Sequence, residues 1–375
     1  MKKSILFSSL LIILLVGFTA CPQKEEKPVA PVIIAYVGGY NGLADVDKIK
    51  ANEISHINYA FVDVKDGKAF LTNEATDTVN FRRLNELKQQ NPELKILISI
   101  GGWAWSKNFS DAVLTSEGQK TFAKSAVDIM YKYNLDGVDI DWEYPAMPGD
   151  EGNVYRPEDK ENYTLMFAAL REELNAREKE SDKKFLLTTA VGGFQKFVDS
   201  TYMDKAQQYL DYINIMTYDN QSSEKAIHHT NLLPSDKYEN SNSTSKAVDA
   251  YINAGVPKEK LVVGIAFYGR IYEMKKGGEK GLADPIVKQI QGKGYTYIKD
   301  SLVNKNEYFR YWDDAAQAPY LYNFYTGVFV TYDDEESVKA KCRYVKENGL
   351  AGVMFWEYSS DPKGYLLNAI NAELR

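Results

Sequence analysis

Eight short runs rich in β-branched and aromatic residues, each followed by an amphipathic stretch, set the strongest limit on how this chain can fold. The runs expected to be strands are 32–40, 56–64, 95–102, 135–144, 185–191, 212–218, 261–268 and 350–356. The stretches expected to be helices lie near 45–54, 80–90, 116–133, 157–177, 203–210, 245–254, 335–347 and 364–374, with Ser116 as the cap of the third. Strands with so few charges suit a parallel sheet buried on both faces. Strict alternation of this kind fits a doubly wound open sheet or a closed (β/α)8 TIM barrel. The count of eight and the length of 375 residues favour the barrel. One interval, 269–333, is far longer than a βα loop needs. Its strand-like runs, 295–298, 308–312, 320–324 and 328–332, predict a small α+β insertion, 270–332, between strands seven and eight.

The start of the chain is not expected to belong to the fold. Lys2 and Lys3 precede an apolar run, Ile5 to Val16, which is shorter than the roughly 20 residues of a membrane span. Residues 1–20 therefore read as a secretory signal peptide. Phe18-Thr19-Ala20-Cys21 resembles a bacterial lipobox, with Phe18 where Leu is usual, so Cys21 is expected to carry lipid. An ordinary signal peptide with a chance cysteine is the alternative. The charged, proline-flanked segment 21–31 reads as a solvated tether, leaving 32–375 for the folded part. A protein held on the cell envelope, at the outer membrane or the cell surface, is the expectation. Formal charge is −7 without a Lys/Arg run, which argues against nucleic acid as a partner. With Cys21 lipidated, Cys342 has no partner for a disulfide and reads as a buried filler. His56, His228 and His229 lack metal-ligand spacing, so neither a metal nor a cofactor is expected. The 27 Tyr and 5 Trp suit a carbohydrate substrate, whose apolar ring faces stack on aromatic side chains.

The chemistry is concentrated in one stretch, Leu135-Asp136-Gly137-Val138-Asp139-Ile140-Asp141-Trp142-Glu143-Tyr144-Pro145. Successive strand side chains point to opposite faces. Asp139, Asp141 and Glu143 then line the barrel axis, about 6.6–6.8 Å apart along the backbone, while Val138, Ile140 and Trp142 face the helices. Asp136 has the other parity and is expected to fix the strand's entry. A solvated acidic loop would have no reason to keep period two. Three acids side by side cannot all ionise, so at least one should hold a proton at neutral pH. Glu143 lies at the C-terminal end, where barrel active sites sit. A pair of acids on one strand approaches a substrate from one side. That geometry suits a reaction in which the substrate supplies its own nucleophile.

On these residues the chain resembles glycoside hydrolase family 18, the chitinases. Ser99-Ile100-Gly101-Gly102, Met216-Thr217-Tyr218-Asp219, Tyr268-Gly269-Arg270 and Trp356 resemble the family's features at the ends of strands three, six, seven and eight. The resemblance spans Val32 to Leu374. It implies hydrolysis of β-1,4-linked N-acetylglucosamine by a retaining route through an oxazolinium ion. Glu143 would be the acid and then the base. Asp141 would orient the acetamide, Asp139 would share a proton with Asp141, and Tyr218 would donate to the acetamide oxygen. Trp356 would floor the sugar site. Tyr144, Gly101, Gly102, Trp103, Met216, Asp219, Tyr268, Arg270, Tyr36 and Phe61 would help bind substrate. Gly101 and Gly102 alone could serve close packing, Tyr36 and Phe61 could only pack, and Trp103, Trp105 and Trp312 could be core or sugar platforms. A monomer is expected. An endo-β-N-acetylglucosaminidase acting on N-glycans and a non-catalytic chitinase-like lectin remain as alternatives, and endo or exo action stays open.

Overall fold

The computed structural model describes residues 30–239, 241–275 and 281–375. The leader, Cys21 and the tether up to 29 lie outside them. Eight parallel strands form the expected barrel: Val32–Gly38, His56–Lys65, Lys95–Gly101, Gly137–Asp141, Leu186–Gly192, Tyr212–Met216, Leu261–Ala266 and Gly352–Trp356. Neighbours pair in chain order, and the first strand pairs with both the second and the eighth, which closes the ring.

Period two along each strand sorts side chains between two cores. Val138 and Ile140 face outward into the shell shared with the helices. Trp142 joins them, 1% exposed and stacked on Phe109 with ring centroids 5.2 Å apart. Val32, Ile34, Tyr36, Ala60, Ala190, Val262 and Met354 fill the barrel's interior. Each fully buried large apolar side chain contributes about 1.5–3 kcal/mol, so the two cores together fix the register that points the acids inward. Cys342 is fully buried in the helix Glu335–Asn348, as a filler should be, and burial pushes its thiol up to about 12.

Several elements depart from expectation. The segment expected as a helix at 45–54 is two 3-10 turns, Val46–Lys48 and Ala51–Glu53. Val46, Ile49, Ala51 and Ile54 are its buried residues, and the i, i+3 spacing within each pair suits a tighter turn than an α-helix. The next helix starts at Glu74, earlier than expected, because its first turns are polar and give no apolar signal. Thr115, not Ser116, caps the helix Ser116–Lys132, its side chain accepting the Gly118 N–H. Tyr295–Tyr297 is a helical turn rather than a strand. There Tyr295 is buried, and its N–H donates to the Phe267 carbonyl at 2.8 Å, so tertiary contacts override the β-propensity of Tyr and Thr.

Between strands seven and eight the chain builds a five-stranded antiparallel sheet. Its order is Ile286–Gly294, Tyr268–Met274, Val328–Thr331, Ala318–Asn323 and Tyr308–Asp313. Where it returns to the barrel, the fully buried Lys341 donates to Asp333 at 2.7 Å and to Thr230 at 2.6 Å. Asp333 also accepts the Ala266 N–H, which ties this corner to the end of strand seven.

Candidate active site

The fourth strand is shorter than expected, yet it keeps its parity. Asp139 and Asp141 occupy its inward positions, and Glu143 follows just past its end. Asp136 sits at the opposite end, where its carboxylate accepts the Ile96 N–H at 2.8 Å and pairs with Lys88 at 2.6 Å.

The three acids occupy different environments. Asp139 is fully buried below the cavity floor and accepts hydrogen bonds from Tyr36, Ser99, Thr188 and Asn214. Burial raises its pKa, and those bonds partly offset the rise. Asp141 is raised well above the carboxylate range by burial first, then by the charges of Glu143 and Asp139; its Oδ1 has no partner. Glu143 is pushed up to about 7, by burial first, while a hydrogen bond with Tyr144 lowers it and the charges of Asp219 and Asp150 add to the rise. A carboxyl in this state is partly protonated at neutral pH and can both give up and take a proton.

The turn that carries Glu143 is held from several sides. Ser106 Oγ accepts the Glu143 N–H at 2.9 Å and lies 2.9 and 3.1 Å from the carbonyls of Gly102 and Asp141. Asn153 donates to the Glu143 carbonyl at 3.0 Å. Gly101 has φ +112°, and a Cβ there would come within 2.2 Å of the Asp141 carbonyl oxygen. Glycine is required at that position on both counts.

Above the acids opens a cavity of 850 Å³ at the C-terminal ends of the strands. Of the residues expected to bind substrate, Tyr36, Phe61, Gly101, Trp103, Tyr144, Met216, Asp219, Tyr268, Arg270 and Trp356 line it, together with Tyr218, Asp141 and Glu143. Gly102 does not; the Phe61 ring fills the space a Cβ would take, 2.6 Å away. Tyr40, Ala104, Trp105, Ala190 and Gln221 complete the wall. Of these, sequence reasoning had considered only Trp105. Trp356 stacks on Phe61 at 5.3 Å and on Tyr40 at 6.2 Å, making a continuous aromatic surface. Trp103 is half-exposed at the rim, edge-on to Tyr144. Trp312 lies instead on the inserted sheet, with the Arg310 guanidinium over its ring.

On the far wall Tyr268 and Arg270 hold Asp219, with hydrogen bonds of 2.6 and 2.7 Å to its Oδ1. Burial would raise Asp219, but the hydrogen bond and charge of Arg270, with the His229 ring 3.6 Å away, outweigh it and hold the acid well below its ordinary range. The Tyr218 hydroxyl reaches Met354 Sδ at 3.7 Å, and its pKa is raised by burial and then by the charges of Asp141, Asp219 and Glu143. It is therefore a neutral donor at the cavity wall. Among the described residues no group of three His, Cys, Asp or Glu is placed to hold a metal ion.

The site can be compared with known proteins. Residues 32–361 match the model of glycosyl hydrolases family 18. Chitinase A1 of Niallia circulans is 36% identical over 98% of this chain, which spans 62% of that relative's length. Chitinase B of Serratia marcescens is 32% identical, with 88% of this chain and 78% of that one covered. A solved family 18 N-acetylglucosaminidase from Paenibacillus barengoltzii superposes with a TM-score of 0.84 at 37% identity, over 92% of this chain and 99% of that one.

Proposed function

The chain belongs to glycosyl hydrolases family 18, and from that premise we propose that it hydrolyses β-1,4-linked N-acetylglucosamine polymers or oligomers by substrate-assisted, retaining catalysis. The observation that carries this reading is the pair Asp141 and Glu143, buried side by side under one aromatic-walled cavity with proton affinities raised by burial. Glu143 protonates the glycosidic oxygen. Among the described residues the one further acid lining the cavity, Asp219, is engaged through its Oδ1 by Tyr268 and Arg270. The nucleophile is then the acetamide oxygen of the bound sugar, which closes on its own anomeric carbon. Asp141 orients the acetamide and stabilises the charged nitrogen. Tyr218 donates to the acetamide oxygen, and Trp356 supports the sugar's apolar face. Glu143, now a base, activates the water that opens the ring.

Turnover of a chromogenic N-acetylglucosamine oligomer tests this directly. Glu143→Gln should lose about 10²–10⁴-fold of the rate and still bind the oligomer. A variant of near wild-type activity would refute the assignment.

A second reading, an N-acetylglucosaminidase that releases single sugars, draws support from the Paenibacillus barengoltzii relative. The product pattern from a hexamer separates the two, since endo cleavage gives internal fragments early. Activity on high-mannose glycopeptides would instead support an endo-β-N-acetylglucosaminidase. The intact Asp141 and Glu143 speak against a lectin. As to location, the leader and Cys21 support export and lipid attachment to the envelope, with the charged tether letting the cavity reach a bulky glycan. Cys21→Ser should move the protein from the membrane fraction to the soluble one without changing specific activity. Intact-mass analysis showing no lipid on the wild type would end the anchor reading.

A further inference from the structure

Little holds the Tyr218 hydroxyl at its tip. Its hydrogen-bond partner among the described residues is Met354 Sδ, at the long distance of 3.7 Å. The side chain is therefore placed from its backbone and by packing, edge-on to Tyr268 with ring centroids 6.2 Å apart. That backbone lies where two strands separate. Pairing between strands six and seven ends at Ile215 and Val263, short of Thr217 and Ala266. Beyond that point three buried polar side chains stand between the strand ends. Thr230 comes from the loop after strand six, Asp333 from the segment leaving the inserted sheet, and Lys341 from the helix Glu335–Asn348. Asp333 Oδ2 accepts the Ala266 N–H at 3.2 Å and the Lys341 ammonium at 2.7 Å. Both groups can only donate, and they fill the two acceptor positions of that oxygen. Lys341 also donates to Thr230 Oγ1 at 2.6 Å. The one proton of the Thr230 hydroxyl, 2.9 Å from the crowded Oδ2, is thereby turned to the Thr217 carbonyl at 3.3 Å. The cluster grips the peptide group that leads into Tyr218 on one side and the strand end just before Tyr268 on the other.

We propose that Thr230, Asp333 and Lys341 are positioning residues that hold the Thr217–Tyr218 peptide from behind the cavity wall and so fix where the Tyr218 hydroxyl meets the substrate's acetamide. This rests on the proposed reading of Tyr218 as the donor to that group. A buried ion pair adds little stability over apolar side chains of the same volume, so stability alone does not account for three polar groups here. The same cluster couples the inserted sheet to the reaction. Asp333 and Lys341 follow that sheet in the chain, and His229, beside Thr230, donates its N–H to Thr331 Oγ1 of the sheet at 3.0 Å.

Thr230→Val keeps the β-branched shape and the Asp333–Lys341 pair and removes the hydroxyl. Donation by Tyr218 strengthens as charge develops on the acetamide, so a misplaced hydroxyl should lower kcat by about 10–100-fold and leave KM within about threefold. Thr230→Ser keeps the hydroxyl and should keep kcat near wild type. In a Tyr218→Phe background there is no hydroxyl left to place, and adding Thr230→Val should cost less than about twofold more. Lys341→Met combined with Asp333→Asn removes both charges, keeps an oxygen for the Ala266 N–H, and should show the same dependence on Tyr218. An unchanged kcat in Thr230→Val overturns the proposal, as do losses that simply multiply when Thr230→Val and Tyr218→Phe are combined. Crystal structures of the wild type and of Thr230→Val read the placement without turnover. The Tyr218 hydroxyl should shift by more than about 0.5 Å, and an unmoved hydroxyl overturns the proposal. Failure of the functional reading looks different. A Tyr218→Phe enzyme with wild-type turnover would remove Tyr218 as the donor, while the crystallographic shift would still decide the positioning.

Discussion

Replacing the proposed acid should make the protein more stable as well as inactive, and the gain should depend on pH. Glu143 sits near 7 in the folded protein against an ordinary 4.5, and burial is the largest cause. Its folded pKa is therefore raised above the unfolded value, so the folded state binds the proton more tightly. Below pH 4.5 Glu143 is protonated in both states and costs no charge burial. Between 4.5 and about 7 only the unfolded state releases the proton, and stability falls with rising pH. At about 1.36 kcal/mol per pH unit, that interval amounts to a cost of about 3 kcal/mol above neutral pH. Glu143→Gln has no proton to lose. It also removes the charge that helps raise Asp141, which acts in the same direction. Urea unfolding of both proteins at pH 4 and pH 8.5 measures the effect. The variant should be close to wild type in acid and more stable by about 3 kcal/mol in base. A difference independent of pH, or a wild type that gains on the variant as pH rises, would show that Glu143 is not desolvated in the way described.

Three further outcomes follow from the same geometry. With Glu143 as the proposed acid, acting in its protonated form, kcat/KM should decline above about pH 7, approaching tenfold per pH unit; a flat profile to pH 9 contradicts the assignment. Trp356→Ala removes the ring stacked between the sugar site and Phe61, and the loss of about 1.5–3 kcal/mol of apolar contact should cut kcat/KM roughly 10–150-fold; an oligomer turnover rate equal to wild type would exclude it as the floor. Gly101→Ala forces a side chain into the space of the Asp141 carbonyl and into a left-handed backbone, at about 1–3 kcal/mol for the backbone alone; an unchanged melting temperature with full activity would refute that placement.

The barrel and its acids were legible because both depend on short-range periodicity. Val138, Ile140 and Trp142 alternate with Asp139, Asp141 and Glu143 in the sequence itself, and the barrel keeps that alternation. What could not be read depends on contacts between distant strands. Thr188 and Asn214 look like ordinary strand residues, yet they meet Asp139 across 49 and 75 positions. Their inward parity was the only available sign. Tyr40 lies in a loop after strand one and becomes wall only because Phe61 and Trp356 flank it. His229 attracted notice only for lacking metal spacing, and it packs with Tyr268 beside Asp219 through a loop no local pattern announces. The Tyr, Thr and Ile of 295–298 misled in the other direction, because burial against Phe267 and Tyr332 decided their backbone.

The central claim is that the substrate's own acetamide attacks the anomeric carbon, and proton NMR during the first minutes of hydrolysis tests it most directly. Attack by the acetamide on one face and by water on the other gives two inversions. The newly formed reducing end of an N-acetylglucosamine oligomer should therefore appear first as the β-anomer and only later mutarotate, and oligomers lacking the N-acetyl group should not be cleaved. An initial α-anomer, or rapid cleavage without the acetamide, would contradict the account.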